Sequence, residues 1–318
     1  MSHRVVTTDG KTAEVLPEAF TWRGFDADVR AVSPDTTDAL VAAAAGADAL
    51  VVDAGTEVTE RVFVETPVRV VARAGIGVDN IDLDAAERLG VPVVNVPDYC
   101  VEEVATHNLA LLLAVWRDLR PADAAVRGGE WSRREERRVG RLSEATVGLV
   151  SFGDIARRQA DLLSAFGADL LAYDPYVGAE TMDRHGAAKV GFEELCRRSS
   201  AVAVHAPLTG ETAGLFDADA FALLPDGAVL VNTGRGGVVD ESALAAALDT
   251  GRLAGAGLDV LAEEPPAALP TDHPNVVYTP HTGWYSERAV EECAQGVAAD
   301  VARVLMGREP ANPVVGDW

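Results

Sequence analysis

A segment with the order strand, turn, helix and strand, at 147–174, constrains the fold more than any other part of the chain. Its turn reads Ser151-Phe152-Gly153-Asp154-Ile155-Ala156. The dinucleotide fingerprint G-x-G-x-x-G/A needs a first glycine for the tight turn, a second for close approach of a pyrophosphate, and a small third residue for helix packing. Gly153 and Ala156 meet the second and third requirements, whereas Ser151 stands where the first glycine belongs.

The residues around this turn support its interpretation as a dinucleotide-binding turn. Apolar residues predict a buried strand at 148–150, a following helix, and a second strand at 168–174. Asp174 lies 21 residues after Gly153, close to the roughly 20 residues expected for a carboxylate that binds an adenosine ribose diol. The alternative is an acidic residue in a strand-end turn before Pro175. We favour the ribose role because strand, turn and helix occur together.

Beyond this segment the sequence keeps alternating between strand and helix patterns, which predicts a parallel sheet. Functional groups in such sheets lie at the carboxyl ends of the strands. The residues that follow predicted strand ends are His205, Asn232-Thr233-Gly234-Arg235-Gly236-Gly237, Asp259 and Thr279-Pro280-His281. We expect them to converge on one crevice. His205 is also compatible with a packing role at the end of its strand.

The first hundred residues predict another α/β unit. Its strands are predicted at 4–8, 49–52, 68–72 and 91–96. A helix without proline or glycine follows at 101–119, and its nearly continuous apolar run predicts burial. The polar, arginine-rich stretch 120–145 is then predicted to form a projecting arm. Trp131 in this arm is either part of a partner surface or a loop anchor packed on its own domain.

The charge of the chain opposes nucleic-acid binding. Its 50 acidic and 27 basic residues give a net charge of −23, and such a surface repels phosphate backbones. The arginines of the arm are therefore expected to pair with glutamates. They are Arg133, Arg134, Arg137, Arg138 and Arg141, beside Glu130, Glu135, Glu136 and Glu144. The acid-rich, lysine-poor composition is typical of proteins from salt-loving organisms, in which salt screens like charges.

Membrane, disulfide and metal chemistry have no support in the sequence. No apolar stretch reaches the roughly 18 residues of a membrane span, and no apolar signal segment precedes the first strand, so we expect a cytoplasmic protein without membrane contact. Cys100, Cys196 and Cys293 are widely spaced and form no C-x-x-C pair. The six histidines show no metal-ligand spacing. Neither a disulfide framework nor a metal site is predicted.

Four motifs together make the chain recognisable. They are Arg73-Ala74-Gly75-Ile76-Gly77-Val78-Asp79-Asn80, the fingerprint, Val231-Asn232-Thr233-Gly234-Arg235-Gly236-Gly237-Val238-Val239-Asp240, and Asp259-Val260 with Glu263-Glu264-Pro265 leading to Thr279-Pro280-His281. In this order and spacing they resemble the D-isomer-specific 2-hydroxyacid dehydrogenase family over nearly the whole chain. The runs Asn95-Val96-Pro97-Asp98-Tyr99-Cys100 and Pro280-His281-Thr282-Gly283-Trp284-Tyr285-Ser286-Glu287 are most similar to the branch of phosphoglycerate dehydrogenases and C-terminal-binding-protein relatives.

The resemblance implies an α/β fold with two Rossmann-like, doubly wound parallel-sheet domains and a cleft between them. A discontinuous, flavodoxin-like substrate-binding domain would comprise 1–98 and 287–318, and 99–286 would form the NAD-binding Rossmann domain. The cleft would close on cofactor and substrate, which excludes water from the hydride path. The resemblance also implies homodimers formed through the nucleotide domains and the arm near Trp131.

In this family a hydride passes between a nicotinamide and C2 of a D-2-hydroxy or 2-keto acid, and the resemblance assigns catalysis to Arg235, Glu264 and His281. The chemistry asks for the same residue types. A fixed guanidinium suits the substrate carboxylate and carbonyl, and a histidine can act as acid and base near neutrality. Glu264 would orient His281 and stabilise its protonated form. Each residue taken alone also has a non-catalytic interpretation: Arg235 as a surface turn residue, Glu264 as a solvated acid, and His281 as a loop histidine.

The resemblance assigns further residues to cofactor and substrate. The cofactor set is Gly153, Asp154, Ile155, Asp174, Pro207, Thr212, Thr233, Gly234, Arg235, Asp259 and Gly283. The substrate set is Ala74, Gly75, Ile76, Gly77, Arg235, His281 and Trp284. The glycines at 75 and 77 allow close approach of backbone amides to a carboxylate, although a simple helix-entry turn has the same pattern. Trp284 would either wall the pocket or pack between domains.

Asp174 favours NAD because a carboxylate repels the 2′-phosphate of NADP, although high salt weakens this repulsion and leaves NADP use open. Left-handed backbone costs a non-glycine residue roughly 1–2 kcal/mol. Ser151 is therefore expected to distort the turn or adopt another geometry, with weaker cofactor affinity but retained activity.

Two other classes of function stay open. One is an NAD(H)-sensing binding scaffold of the C-terminal-binding-protein type, with little or no turnover. The other is a catalytically inactive binder of a 2-hydroxy acid. The identity of the substrate lies beyond the sequence.

Overall fold

A computed structural model describes residues 2–131 and 140–315 of the chain. The chain divides into two compact units, one formed by Met1–Cys100 with Ser286–Trp318 and the other by Val101–Tyr285. Each unit contains a largely parallel sheet with helices, which confirms the predicted fold class of two doubly wound α/β domains. Elements are numbered along the chain.

The first unit contains a six-stranded sheet. Its strands are β1 (His3–Thr7), β2 (Ala27–Ala31), β3 (Ala49–Val52), β4 (Val70–Arg73), β5 (Val93–Val94) and β13 (Pro313–Val315). Its helices are α1 (Leu16–Trp22), α2 (Thr37–Ala44), α3 (Glu60–Glu65), α4 (Leu83–Leu89) and α12 (Glu287–Leu305). The strand order is β13-β5-β4-β3-β1-β2, with β13 antiparallel to β5 and the other pairs parallel. The order β2-β1-β3-β4-β5 is that of flavodoxin-like sheets.

The central strands of this sheet are apolar because helices cover both faces of a parallel sheet. Every residue of β3 and β4 is buried, and Leu40, Val62 and Ile81 pack in the same core. The sequence did not predict β2, in which Ala27 and Val29 are half-buried while Asp28 and Arg30 are exposed. An edge strand has a neighbour on one side alone, so it needs no continuous apolar run.

The second unit contains a seven-stranded sheet. Its strands are β6 (Thr146–Val150), β7 (Asp169–Tyr173), β8 (Ala187–Lys189), β9 (Ala201–Val204), β10 (Ala228–Asn232), β11 (Leu253–Leu258) and β12 (Val276–Tyr278). Its helices are α5 (Val101–Trp116), α6 (Leu119–Arg127), α7 (Asp154–Ser164), α8 (Ala179–Arg184), α9 (Phe192–Arg198), α10 (Ala218–Leu223) and α11 (Glu241–Asp249), with short 3-10 turns at Leu142–Glu144 and Gly236–Val238.

The second sheet is wholly parallel and has the order β12-β11-β10-β9-β6-β7-β8. The part β8-β7-β6-β9-β10-β11 is the doubly wound Rossmann order, and β12 extends it at one edge. The strand order reverses between β6 and β9. Ligands of open α/β sheets bind outside the carboxyl ends of the strands at such a reversal, so this edge is where a site is sought.

The helix predicted at 101–119 ends earlier than expected. α5 stops at Trp116, Asp118 has a φ of +59°, and α6 begins in the next residue. α6 therefore occupies the first part of the predicted arm. α5 buries one stripe that includes Asn108 and Leu112, whereas Ala110 is exposed. A nearly continuous apolar run does not by itself require burial on all sides.

The remaining arm is described in part. Trp131 is 90% exposed, and Arg141 lies 3.7 Å from Glu144. The other arm residues expected to form ion pairs, Arg133, Arg134, Glu135, Glu136, Arg137 and Arg138, lie outside the described residues. Within the described ranges, no helix is both long and apolar enough to cross a membrane.

Candidate active site

The candidate residues of the second unit follow four neighbouring strands. β9, β10, β11 and β12 lie side by side in the sheet. His205, Thr233, Asp259 and Thr279 are the next residues after these strands. Because parallel neighbours end at the same edge, this edge collects the polar groups.

His281 and Glu264 form a hydrogen-bonded pair. The Nδ1 atom of His281 lies 2.7 Å from Oε2 of Glu264, and the two side chains are 35% and 37% exposed. The other carboxylate oxygen of Glu264 accepts the N–H of Leu261 at 3.0 Å. Nδ1 thus faces the carboxylate, so Nε2 is the ring nitrogen that can exchange a proton with a ligand.

The carboxylate of this pair is ionised. Burial raises the pKa of Glu264, but the hydrogen bonds from His281 and from the Leu261 N–H outweigh burial and hold the pKa below the usual glutamate value. Glu264 therefore carries its charge throughout the range in which a histidine titrates. An ionised carboxylate can only accept, so Nδ1 is protonated and donates to Oε2.

Asp259 holds the loop that carries the histidine. Its carboxylate is 3% exposed and accepts the Thr279 hydroxyl at 2.6 Å and the N–H groups of Thr282 and Gly283 at 2.9 Å each. Two of the residues assigned to the cofactor, Asp259 and Gly283, are thus bonded to each other. Asp259 acts inside the protein as an anchor of the loop at 279–283.

His107 on α5 contacts the same anchor, and the sequence analysis did not predict it. Its Nε2 atom lies 2.9 Å from the Thr279 Oγ1 and 3.4 Å from Oδ1 of Asp259. Burial raises the pKa of Asp259, yet the hydrogen bonds, led by that of His107, lower it below the usual aspartate value. The signal that could have found His107 is the polar pair His107-Asn108 inside an apolar helix.

The backbone of His281 is unusual for a non-glycine residue. Its φ is +52°, in the left-handed region that such residues rarely occupy. Its N–H donates to the carbonyls of Asp259 at 2.8 Å and Thr279 at 3.0 Å, and its carbonyl accepts Nε1 of Trp284 at 2.9 Å. Strained residues persist where neighbouring contacts determine them, often at functional sites. Trp284 is therefore bonded to the histidine loop, while its role as a pocket wall stays a prediction.

Arg235 follows β10 in a turn organised by Asn232. The Asn232 side chain accepts the N–H of Gly234 and donates to the carbonyl of Arg235, both at 3.0 Å. Nη1 of Arg235 donates to the Gly234 carbonyl at 2.9 Å. A Cβ on Gly236 would lie 1.9 Å from the carbonyl carbon of Leu261, so only glycine permits this approach. The turn that carries Arg235 therefore packs closely against Leu261, in the loop that leads to Glu264.

The fingerprint turn lies between β6 and α7. Gly153 is the exposed N-cap of α7, and a Cβ there would meet nothing within 4 Å in the described structure. Packing within the described ranges does not require glycine, whereas close approach of a ligand does. No side chain from those ranges caps α7, so the N–H groups that begin with Asp154 and Ile155 can face an anion. Ala156 is fully buried against the sheet.

Ser151 adopts the conformation of the missing glycine. Its φ is +70°, so the expectation of a distorted turn or another geometry is wrong. Its N–H donates to the Tyr173 carbonyl at 2.9 Å, and its hydroxyl lies 3.4 Å from Oδ2 of Asp174. These contacts offset part of the roughly 1–2 kcal/mol that left-handed backbone costs.

Asp174 is 8% exposed and contacts two turns. Oδ2 accepts the N–H of Phe152 at 2.8 Å, and Oδ1 accepts the N–H groups of Tyr176 at 2.8 Å and Val177 at 3.2 Å. The strand-end role that the sequence left open is thus part of its function in the fold. The carboxylate also lies directly beside the fingerprint turn, where a side chain that binds the adenosine ribose would be needed.

Pro207 and Thr212 belong to one exposed turn after β9. The Thr212 hydroxyl donates to the Pro207 carbonyl at 2.5 Å and accepts the N–H of Thr209 at 2.8 Å. This hydroxyl shapes the turn. Contact of either residue with a cofactor stays a prediction.

A buried chain of polar groups joins two helices to the strand ends, and sequence reasoning missed its helical members. His205 Nε2 contacts Oε1 of Gln159, whose Nε2 donates to Oδ1 of Asn108 at 2.6 Å, and Asn108 donates to the Thr233 hydroxyl at 2.9 Å. Asn108 and Gln159 are fully buried. Burial lowers the pKa of His205 to about 4. His205 is therefore neutral near pH 7, and its contact with Gln159 agrees with the packing role that the sequence left open.

In the first unit, the predicted carboxylate-binding turn follows β4. The N–H of Ala74 donates to a carbonyl of β3 at 2.9 Å, and that of Gly75 to a carbonyl of β4 at 2.8 Å. A Cβ on Gly75 would lie 2.3 Å from Nη1 of Arg73. Since these two amides are used within the fold, Ile76 and Gly77 are the amides to consider for a ligand carboxylate.

The second unit has a parallel sheet in Rossmann order, and the His281 and Glu264 pair lies at the carboxyl edge of that sheet. This strand order places the unit in the class of nucleotide-binding α/β domains. A sequence model of the family described as "D-isomer specific 2-hydroxyacid dehydrogenase, NAD binding domain" matches residues 109–283. The chain therefore belongs to the D-isomer specific 2-hydroxyacid dehydrogenase family.

Individual relatives agree with this assignment. A "D-3-phosphoglycerate dehydrogenase" of Mycobacterium tuberculosis is 40% identical over 296 residues, which cover 92% of this chain and 56% of that relative. The chain thus spans about half the length of the curated relatives it matches. The TT0316 protein from Thermus thermophilus has a TM-score of 0.87 at 33% identity, covering 98% of this chain and 100% of that one. A D-lactate dehydrogenase from Aquifex aeolicus, complexed with NAD and lactic acid, has a TM-score of 0.88 at 26% identity, covering 99% and 100%.

The depressed pKa of His205 predicts a pH dependence of stability. In the unfolded chain a histidine titrates near 6.5, whereas the folded pKa is about 4. Between these values the unfolded state binds more protons, so the free energy of unfolding falls as pH decreases, by up to about 3 kcal/mol for this group. Denaturant unfolding at several pH values should show a flatter decline for His205→Gln. The control is His185→Gln, which removes an imidazole 2.8 Å from Asp161; equal slopes for His205→Gln and the unsubstituted protein would contradict the prediction.

Proposed function

We propose that this protein is an NAD(P)-dependent D-2-hydroxyacid dehydrogenase, which transfers a hydride between nicotinamide and C2 of a 2-keto or D-2-hydroxy acid. The observation that carries the proposal is the His281 and Glu264 pair, 2.7 Å apart, in the loops that follow β12 and β11. A hydride acceptor with a carbonyl oxygen needs a proton donor at that oxygen. A histidine with an ionised partner supplies one near neutral pH.

The residues of the fingerprint turn fit a dinucleotide. Space for a Cβ at Gly153, an uncapped N-terminus of α7 among the described residues, and the buried Asp174 carboxylate beside the turn all support this fit. When bound, the dinucleotide supplies or accepts the hydride. We assign pyrophosphate binding to Gly153, Asp154 and Ile155. The remaining cofactor contacts are proposed for Asp174, Pro207, Thr212, Thr233, Gly234, Arg235, Asp259 and Gly283.

His281 acts as acid in reduction and as base in oxidation. With Nδ1–H donating to Glu264, the protonated ring offers Nε2–H to a carbonyl oxygen and becomes neutral as the alcohol forms. In the reverse direction, neutral Nε2 accepts the hydroxyl proton. The Glu264 carboxylate stabilises the protonated ring, because opposite charges within about 4–6 Å favour the charged form.

Arg235 binds the substrate carboxylate and polarises the carbonyl in this proposal. A guanidinium is always charged and binds a carboxylate with two parallel hydrogen bonds. We also assign substrate contacts to Trp284 and to the 74–77 turn, in which the Ile76 and Gly77 amides are the candidates. Substrates with a 2-keto acid group are proposed as a class, because the named relatives include both a phosphoglycerate and a lactate dehydrogenase.

Oxidation of NADH with a panel of 2-keto acids in molar salt tests the proposal. We expect turnover of at least one acid and a fall in kcat/KM of about 10²–10⁴-fold for His281→Ala, the usual contribution of general acid catalysis. His185→Ala, which removes another imidazole of the same unit, should leave kcat/KM unchanged.

The outcomes of this assay separate the alternatives. No turnover of any acid would contradict the enzyme proposal, and tight NADH binding without turnover would favour a binding scaffold. Unchanged turnover in His281→Ala would contradict the assigned acid.

Removal of the charge on Glu264 should lower the rate of reduction. In Glu264→Gln an amide replaces the ionised acceptor of the Nδ1–H group, so the protonated imidazole is less stabilised and kcat/KM should fall about tenfold or more. Glu263→Gln is the matched control, since it removes the same charge one residue away. Equal falls in kcat/KM for the two variants would indicate a general field effect and would contradict the orienting role.

Self-association through the arm is a further part of the proposal. Trp131 is 90% exposed, and aromatic residues are enriched in interfaces, where they often dominate the binding energy. Sedimentation should give about twice the chain mass of 33.4 kDa, and Trp131→Ser should weaken the dimer by about 30-fold or more. Trp22→Ser, at a residue 77% exposed in the other unit, is the control. An unsubstituted protein that sediments as a monomer would contradict this part.

We also assign the enzyme to the cytoplasm. Cys100, Cys196 and Cys293 are buried thiols, and burial raises the pKa of Cys196 and Cys293 to about 12. Burial makes these thiols unreactive, and the support for the cytoplasm is that they are free cysteines, since disulfides are rare in a reducing compartment.

A further inference from the structure

The carboxylate of Asp174 has no acceptor capacity to spare. A carboxylate offers about four lone-pair positions. The N–H groups of Tyr176 and Val177 occupy Oδ1, at 2.8 and 3.2 Å, while Oδ2 accepts the Phe152 N–H at 2.8 Å and the Ser151 hydroxyl at 3.4 Å. Each hydroxyl of an adenosine ribose diol that donates to this carboxylate must therefore displace one of these four donors.

Ser151 supplies the donor that can be displaced. Three of the four donors are backbone N–H groups, whereas the Ser151 hydroxyl stands on a rotatable side chain and makes the longest contact. With glycine at this position, as the fingerprint prescribes, the competing hydroxyl would not exist. Ser151 keeps the left-handed backbone that a glycine would have at this position, with a φ of +70°. Its hydroxyl therefore faces the Asp174 carboxylate.

The Ser151 hydroxyl should change the affinities for NADH and NADPH in opposite directions. The ribose diol of NADH must compete with it for Asp174. The 2′-phosphate of NADPH brings acceptor oxygens instead of a diol and is repelled by the carboxylate. A hydroxyl donor beside that carboxylate can turn to a phosphate oxygen and offset part of the repulsion.

We infer that Ser151 modulates the cofactor selectivity that Asp174 sets: its hydroxyl competes with the ribose of NADH for Asp174 and assists the 2′-phosphate of NADPH, which narrows the preference for NADH over NADPH. The inference rests on the proposed function. Backbone strain at Ser151 is present with and without nucleotide. It therefore affects stability, whereas competition for the carboxylate affects affinity.

Three variants separate these two effects. Ser151→Ala removes the hydroxyl and keeps the left-handed strain, and Ser151→Gly removes both. Ser164→Ala, at the far end of α7 with its hydroxyl on the Asp161 carbonyl, is the matched control. Affinities for NADH and NADPH are measured on the full chain by equilibrium fluorescence titration, and thermal unfolding is followed without nucleotide.

We expect Ser151→Ala and Ser151→Gly to bind NADH about two- to tenfold more tightly, the effect of one competing hydrogen bond. NADPH should bind more weakly or unchanged, so that the affinity ratio moves towards NADH. Only Ser151→Gly should raise the unfolding temperature, since alanine keeps the strain. Equal NADH affinity of the unsubstituted protein and both variants, or an equal gain for NADPH, would overturn the inference alone. No binding of either nucleotide to any variant would overturn the proposed function together with the inference.

Discussion

The hydrogen bonds to the buried carboxylate of Asp259 hold the loop that carries His281, and the geometry of the candidate active site depends on them. A charge that is 3% exposed is tolerated only when donors replace water, and the donors here come from Thr279, Thr282 and Gly283. These residues surround His281, whose left-handed backbone needs such support. The position of the imidazole is thus set by an ion that itself takes no part in proton exchange.

Polar groups below and at this edge fall into two kinds. The chain from His205 through Gln159 and Asn108 to Thr233 is uncharged, and amides and hydroxyls satisfy one another within the core. Glu264 and Asp259 are carboxylates whose pKa values lie below the usual range because donors surround them. The neutral network joins two strand ends to α5 and α7, whereas the ionised groups lie at the loops that carry His281 and Glu264.

The fold was accessible from the sequence where periodicity was strong. β6 and β7 follow from continuous apolar runs, because both faces of a parallel strand are buried, and α7 follows from the helical spacing of its apolar residues. β2 at a sheet edge and α6 beyond Asp118 were not predicted, since edge strands need few apolar residues and a turn at a non-glycine leaves no composition signal. The motifs nominated Glu264 and His281, but their hydrogen bond depends on loops of different strands. His107 and Gln159 were not predicted because polar residues within a predicted helix usually belong to its solvent-exposed face or are satisfied core groups.

The turn between β6 and α7 has a consequence for how a ligand would be received. Phe152, Tyr176 and Val177 are tied to Asp174 through backbone N–H groups in the protein alone. These three hydrogen bonds hold the backbone around Asp174 in the protein without a ligand. The residues of this turn would therefore lose less conformational freedom when a nucleotide binds than residues of a loop without such hydrogen bonds. Discrimination between similar ligands then depends on the exchange of individual hydrogen bonds, because the backbone has little freedom to adapt to a poorer fit.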